Sequence, residues 1–268
     1  MTTPASISGI LVIDKPLRMT SMSVCAKIRG KLHAGLRNMD PEASSAFIVP
    51  KRIKVGHGGT LDPLATGVLV ILVGKATTLC DRVMAGDKEY LATVDLSRTS
   101  PTDDLEAQAT TVEGVEPPTR AQLETACATY TGVIEQIPPD HSAIKIDGKR
   151  AYASARAGEA PRLKPRPVRI DAIEILGYQW PLADLRITCG KGVYIRSLAR
   201  DLGRALQTGG VLTALRRTQV GQWSIEQAIR VEDLPDPMVP SDLLPVPSSP
   251  VPSSPNPSSP EPDLGAEP

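Results

Sequence analysis

The residues best suited to chemistry lie in Val55-Gly-His57-Gly-Gly-Thr-Leu-Asp62-Pro63-Leu-Ala-Thr-Gly67. A single acid, Asp62, follows a glycine-rich run headed by His57. Gly56, Gly58 and Gly59 permit backbone angles and close approaches that a Cβ would forbid. A substrate can therefore lie against the main chain while one carboxylate points at it. The same letters also allow a purely structural role. Asp followed by Pro is a good helix start, with Asp as N-cap and Pro at the first helical position, and His57 can simply close a turn.

Two further stretches carry reactive side chains. Asp87-Lys-Glu-Tyr90 opens an alternating segment in which Tyr90 reads as a strand tyrosine, ordinarily a packing residue with its hydroxyl at the rim. Lys191-Gly-Val-Tyr194-Ile-Arg196 leads into a helix on which Arg196, Arg200 and Arg204 share one ridge. Such a row normally faces solvent, but Arg196 stands in the first turn, beside Tyr194 and just after a strand. There is no Walker loop, no H-E-x-x-H and no C-x-x-C; Cys25, Cys80, Cys127 and Cys189 are scattered. The reading is of a protein of the reducing cytoplasm with no zinc or other metal and no cofactor.

The elements that must position these groups are legible from periodicity. Gly9 to Lys15 reads as a short buried strand, and Thr20 or Ser21 caps a helix with Val24, Cys25, Ile28 and Leu32 on one face. Val68 to Val73 is an apolar run of strand type, followed by a helix over Lys75 to Met84 and a half-buried strand over Asp87 to Leu96. Thr102-Asp-Asp104 reads as an acidic structural turn. Thr119 and Gln122 form a capping box for a helix that ends near Gly132. Strands follow at Val168 to Ile175 and Leu185 to Cys189. A helix carrying Ile195, Leu198, Ala199, Leu202 and Leu206 on its apolar face then stops at Gly209 and Gly210.

Zero net charge conceals an uneven distribution. Between His141 and Arg217 there are fifteen basic residues against six acidic ones, a surplus suited to a phosphate backbone. From Asp236 onward there are five acids and no base, and the last 34 residues hold 12 of the 26 prolines. The segment 235–268 is therefore expected to be a disordered, acidic Pro/Ser-rich tail. Residues 1–234 are expected to form one catalytic domain. No apolar run is long enough to span a membrane.

The string Gly56-His-Gly-Gly-Thr-Leu-Asp-Pro-Leu-Ala-Thr-Gly67 resembles the catalytic motif of the TruB-type tRNA pseudouridine synthases. The resemblance extends to Asp14-Lys-Pro16 with Thr20-Ser21, Asp87-Lys-x-Tyr90, Lys191-Gly-x-Tyr194-Ile-Arg196 and Thr213-Ala-Leu215-Arg-Arg-Thr218, in the family order over roughly residues 9 to 230. Gly58 stands where the family usually has Thr, and His141 where it often has Tyr. The resemblance implies an α+β fold, with a mixed, largely antiparallel sheet flanked by helices and loops. It implies a thumb over about 137–160. Many family members also carry a small C-terminal RNA-binding domain, which is not expected here because the tail composition leaves no folded-looking stretch for one. The resemblance makes Asp62 the nucleophile, Arg196 its salt-bridge partner, and Tyr90 the base-stacking residue and candidate general base. His57 would fill the space left by the flipped base, Tyr194 would line the pocket, and Leu215 would contact the target nucleotide. The implied reaction isomerises uridine to pseudouridine at position 55 in the T-loop of the tRNA T-arm, with the target base flipped into the pocket, by a cytoplasmic monomer without cofactor. The alternative on the same scaffold is a non-catalytic RNA-binding or RNA-folding protein, and a base-releasing glycosidase would lack a clear second acid.

Overall fold

A computed structural model describes residues 5–39, 47–48, 52–139, 145–146, 149–150 and 163–247. Most of the expected thumb and the chain beyond 247 lie outside the described residues. In chain order the main elements are β1 (Gly9–Lys15), α1 (Ser21–Asn38), β2 (Val55–His57), β3 (Ala65–Val73), α2 (Cys80–Ala85), β4 (Lys88–Asp95), α3 (Arg120–Thr129), β5 (Gly132–Gln136), β6 (Arg166–Gln179), β7 (Leu182–Cys189), α4 (Ile195–Ala205), β8 (Val211–Val220), β9 (Trp223–Ser224) and β10 (Ile229–Arg230). The described residues fall into two compact units, one from 5–92 and 214–247 and the other from 93–213.

The first unit is built on β3. Every residue from Val68 to Val73 is fully buried, which explains a run with no polar alternation. Burying each such aliphatic side chain stabilises the fold by about 1.5–3 kcal/mol. β1 pairs antiparallel with β3 from Gly9↔Val73 to Lys15↔Gly67, β2 pairs antiparallel with it, and β8 pairs parallel at Leu215↔Ala65 through Arg217↔Gly67. β10 runs parallel to β1, and β9 antiparallel to β8. Thr20 caps α1 as expected, accepting from the Ser23 N–H, and Val24, Cys25, Ile28 and Leu32 are all fully buried.

Two expectations fail in this unit. Residues 75–84 do not form one α-helix: a 3₁₀ segment spans Gly74–Leu79 before the short α2. The hydroxyls of Thr77 and Thr78 donate back three residues, to the carbonyls of Gly74 and Lys75, which favours the tighter turn. Nor is the chain just after 234 an unpacked tail. Met238 is fully buried, its N–H donates to the Lys31 carbonyl, Lys31 pairs with Asp236 at 2.9 Å, and Leu244 exchanges both backbone hydrogen bonds with Ile10. Apolar burial and a backbone bridge hold a proline-rich strap that composition alone marks as unstructured.

The second unit is a three-stranded antiparallel arrangement, β5–β6–β7, with α3 and α4. β5 pairs with β6 from Gly132↔Ile170 to Gln136↔Arg166. β6 and β7 form a long hairpin with irregularities between Ile170 and Ala172 and between Ile175 and Gly177. The capping box of Thr119 and Gln122 is present, and the Tyr130 hydroxyl donates to the Asp201 carbonyl on α4. Both units are thus α+β with antiparallel pairing predominating, as the sequence implied.

Candidate active site

In the first unit Asp62 opens a tight turn. The Ala65 N–H donates to the Asp62 carbonyl at 3.1 Å, Pro63 occupies the second position, and the chain passes directly into β3. The helix start that Asp-Pro allows is therefore not used. Of the three leading glycines only Gly59 has a positive φ, +122°. Gly67, at φ +99°, is excluded from substitution by contact too, because a Cβ there would lie 2.1 Å from the Arg217 carbonyl oxygen.

Three buried side chains fix this turn through its main chain. The Ser21 hydroxyl accepts from the Leu61 N–H at 2.9 Å and donates to the Leu61 carbonyl at 3.0 Å, clamping the residue before Asp62. Lys15 is fully buried, and its ammonium donates to the carbonyls of Pro16, Met19 and, at 3.5 Å, Pro63. The Pro63 carbonyl also accepts from the Arg18 N–H. Arg217 on β8 is 2% exposed and donates to the carbonyls of Val68 at 2.8 Å, Gly59 at 3.1 Å and Thr60 at 3.3 Å, bracketing Asp62 on both sides.

These cations set the electrostatics. Burial pulls the Lys15 pKa down to about 8, with the Asp62 carboxylate raising it and Arg217 lowering it further. His57 is half-buried on β2, and burial first, then the Arg217 charge, push its pKa below the usual imidazole value. It is therefore neutral near pH 7, and its Nδ1 has no hydrogen-bond partner among the described residues. Tyr90 is 8% exposed on β4. Leu215 pairs with Ala65, and its carbonyl accepts from the Thr66 hydroxyl, which sets it beside the Asp62 turn.

Tyr194 and Arg196 fall in the second unit, together at the start of α4. Arg196 is 4% exposed, against the usual fate of a helix-surface arginine. It donates to the Thr102 carbonyl at 3.2 Å and lies 3.7 Å from the Asp104 carboxylate. Arg200 pairs with Asp103 at 3.0 Å and with Asp201, whereas the Arg204 side chain is mostly exposed. Burial raises the Asp103 pKa even with Arg200 and Arg196 lowering it. The turn Thr102–Asp104 is thus the seat of the arginine ridge. The Arg166 guanidinium lies 5.2 Å from the Tyr194 ring centroid, within cation–π range.

Sequence reasoning located Asp62 and the Tyr194–Arg196 junction but missed Lys15, Ser21 and Arg217 as supports. Lys15 and Arg217 sit inside quoted motifs, yet a buried cation bonded to carbonyls has no periodic signature. No cluster of His, Cys, Asp and Glu among the described residues can hold a metal ion, and no described helix is long and apolar enough to cross a membrane.

The α+β fold of mixed pairing that carries this turn is one shared with solved structures. The chain resembles that of a Cbf5-Nop10-Gar1 complex at 28% identity and TM-score 0.59, covering 84% of this chain and 53% of the other. It also resembles a chain of an H/ACA RNP bound to a substrate RNA containing 2′-deoxyuridine, at 27% identity and TM-score 0.57, covering 84% and 52%. It thus spans about half the length of those solved chains. Residues 48–195 match the TruB family pseudouridylate synthase N-terminal domain, and residues 196–242 match the tRNA pseudouridylate synthase B C-terminal domain, so the family match continues past 234 into the packed strap. The tRNA pseudouridine synthase B of Phocaeicola vulgatus is 45% identical over 85% of this chain and 92% of its own. That of Thermobifida fusca is 42% identical over 84% and 74%. The chain belongs to the TruB family of pseudouridine synthases.

Proposed function

We propose that this protein isomerises uridine to pseudouridine at position 55 in the T-loop of tRNA, with Asp62 as the nucleophile. One observation carries the assignment of Asp62: the residues on both sides of it are pinned by Ser21, Lys15 and Arg217 through main-chain bonds, a preorganisation that a carboxylate serving only as a surface turn would not require. The reaction breaks the glycosidic N–C bond and remakes the link as C–C to the same base, so nothing is oxidised and no second substrate is consumed. The protein must flip the uridine out of its stack, at a cost of roughly a few kcal/mol, and retain the detached uracil while it turns.

In this reading Arg196 is the electrostatic partner of Asp62, and Tyr90 stacks on the base and takes its proton. A tyrosine is a weak base, with an ordinary pKa of about 10, so proton removal needs help from the site. Neutral, half-buried His57 suits insertion into the gap left by a flipped base, Tyr194 lines the pocket, and Leu215 contacts the nucleotide. The protein acts as a cytoplasmic monomer that grips the T-arm through its basic residues and needs no cofactor. The deciding experiment incubates the purified chain with unmodified tRNA transcript and maps the modified nucleotide. Pseudouridine confined to position 55 is expected. Tight binding with no isomer formed would favour a non-catalytic RNA-binding role, and released uracil a glycosidase.

A further inference from the structure

We infer that Gln136 is a positioning residue for pseudouridine formation, acting through Tyr194; the inference rests on the reading of Tyr194 as a pocket residue. Gln136 ends β5, opposite Arg166 of β6, and is 1% exposed. Its side-chain amide spans the main chain of Tyr194. Nε2 donates to the Tyr194 carbonyl at 3.1 Å, and Oε1 accepts from the Tyr194 N–H at 2.9 Å. An amide bonded to both peptide groups of one residue works like a rung of a β-ladder, and the identities of those groups dictate which way it points.

The place it holds is a junction. Tyr194 is the N-cap of α4, has no side-chain cap, and lies between the Gly190–Val193 turn and the helix that carries Arg196. Rotation of its backbone would swing the aromatic ring and shift the first turn of α4 together. The residue after Gln136 secures the same junction, because the Ile137 carbonyl accepts from the Ser197 hydroxyl and from Arg200, each at 2.9 Å. Arg166 fixes the ring from its face while donating to the Gly192 carbonyl at 2.6 Å. Packing alone would be met by an apolar side chain of equal volume. A buried amide is costly unless both its ends are bonded, so its service here is directional.

The test is a double-mutant cycle on the full chain with Gln136→Met, Tyr194→Leu and the double variant. Single-turnover pseudouridine formation on unmodified tRNA transcript is read at a temperature where circular dichroism shows each protein fully folded. Gln136→Met is expected to slow the reaction by about tenfold or more while leaving tRNA affinity within about threefold, and to add less than about threefold in the Tyr194→Leu background. A wild-type rate for Gln136→Met, or the same factor lost in both backgrounds, overturns the inference. If Gln136→Met does not fold, Gln136→Glu replaces it in the cycle with the same expectation, since an ionised carboxylate accepts from the Tyr194 N–H but cannot donate to its carbonyl. Absence of pseudouridine with the wild-type chain defeats the functional reading itself, which separates that failure from failure of the Gln136 role.

Discussion

The turn bearing Asp62 and the junction bearing Tyr194 and Arg196 are held by opposite means. Around Asp62 two buried cations, Lys15 and Arg217, spend their hydrogen bonds on carbonyl oxygens. Carbonyl dipoles satisfy their donors without cancelling their charge, and the nearby Asp62 carboxylate favours the charged form of Lys15. At the start of α4 the arginines instead meet carboxylates, Arg196 with Asp104 and Arg200 with Asp103 and Asp201. There the pairing supplies direction to the guanidinium groups. The first arrangement braces the backbone of a turn; the second aims guanidinium groups in one direction.

Removing a cation should therefore cost most in the first region. Arg217→Met leaves the carbonyls of Gly59, Thr60 and Val68 without their donor. A loss of about 3 kcal/mol or more in urea unfolding is expected, from roughly 1–3 kcal/mol per stranded buried group, together with near-complete loss of turnover. A variant within about 0.5 kcal/mol of wild type would show that the cation is not what braces the turn. Next in size is Gly67→Ala, which places a Cβ against the Arg217 backbone at φ +99°. About 2 kcal/mol of destabilisation is expected from strain in that region, read as a lowered thermal midpoint.

Much of this architecture was legible beforehand because it follows from periodicity and capping. The fully apolar Val68–Val73, the alternating β4, the Thr20 cap and the Thr119–Gln122 box each declare themselves in a few residues. The short β5 did not, since its side chains are mostly exposed and do not alternate, and the chain around it reads as a polar loop. The strap 235–244 was hidden for a different reason. Its prolines suppress any periodic signal, while its order depends on Met238 and Leu243 finding a surface made by distant residues. At the site, motif spacing exposed Asp62 and Arg196, but the bonds from Ser21, Lys15 and Arg217 to main-chain atoms exist only once the strands are in register.

The folded-state pKa of Lys15 is about 8 against 10.5 for the free side chain, so above pH 8 the folded protein binds fewer protons than the unfolded chain. Stability linked to Lys15 should rise as pH moves from 8 toward 10, so wild type should gain on Lys15→Met in matched denaturation curves over that window. A constant gap would mean that Lys15 is not a depressed, buried ammonium. The smallest effect belongs to the exposed end of the arginine ridge. Arg204→Ala should change stability by no more than about 0.5 kcal/mol, and a larger loss would erase the distinction between the seated arginines, Arg196 and Arg200, and the solvated one.

The most direct measurement compares Asp62→Asn with wild type on the same unmodified tRNA, recording pseudouridine yield and tRNA affinity in one preparation. The account predicts no detectable pseudouridine from the variant, with affinity within about threefold of wild type, because the amide keeps the shape of the side chain and loses only its charge and nucleophilicity. Pseudouridine formed by Asp62→Asn at a rate near that of wild type would contradict it.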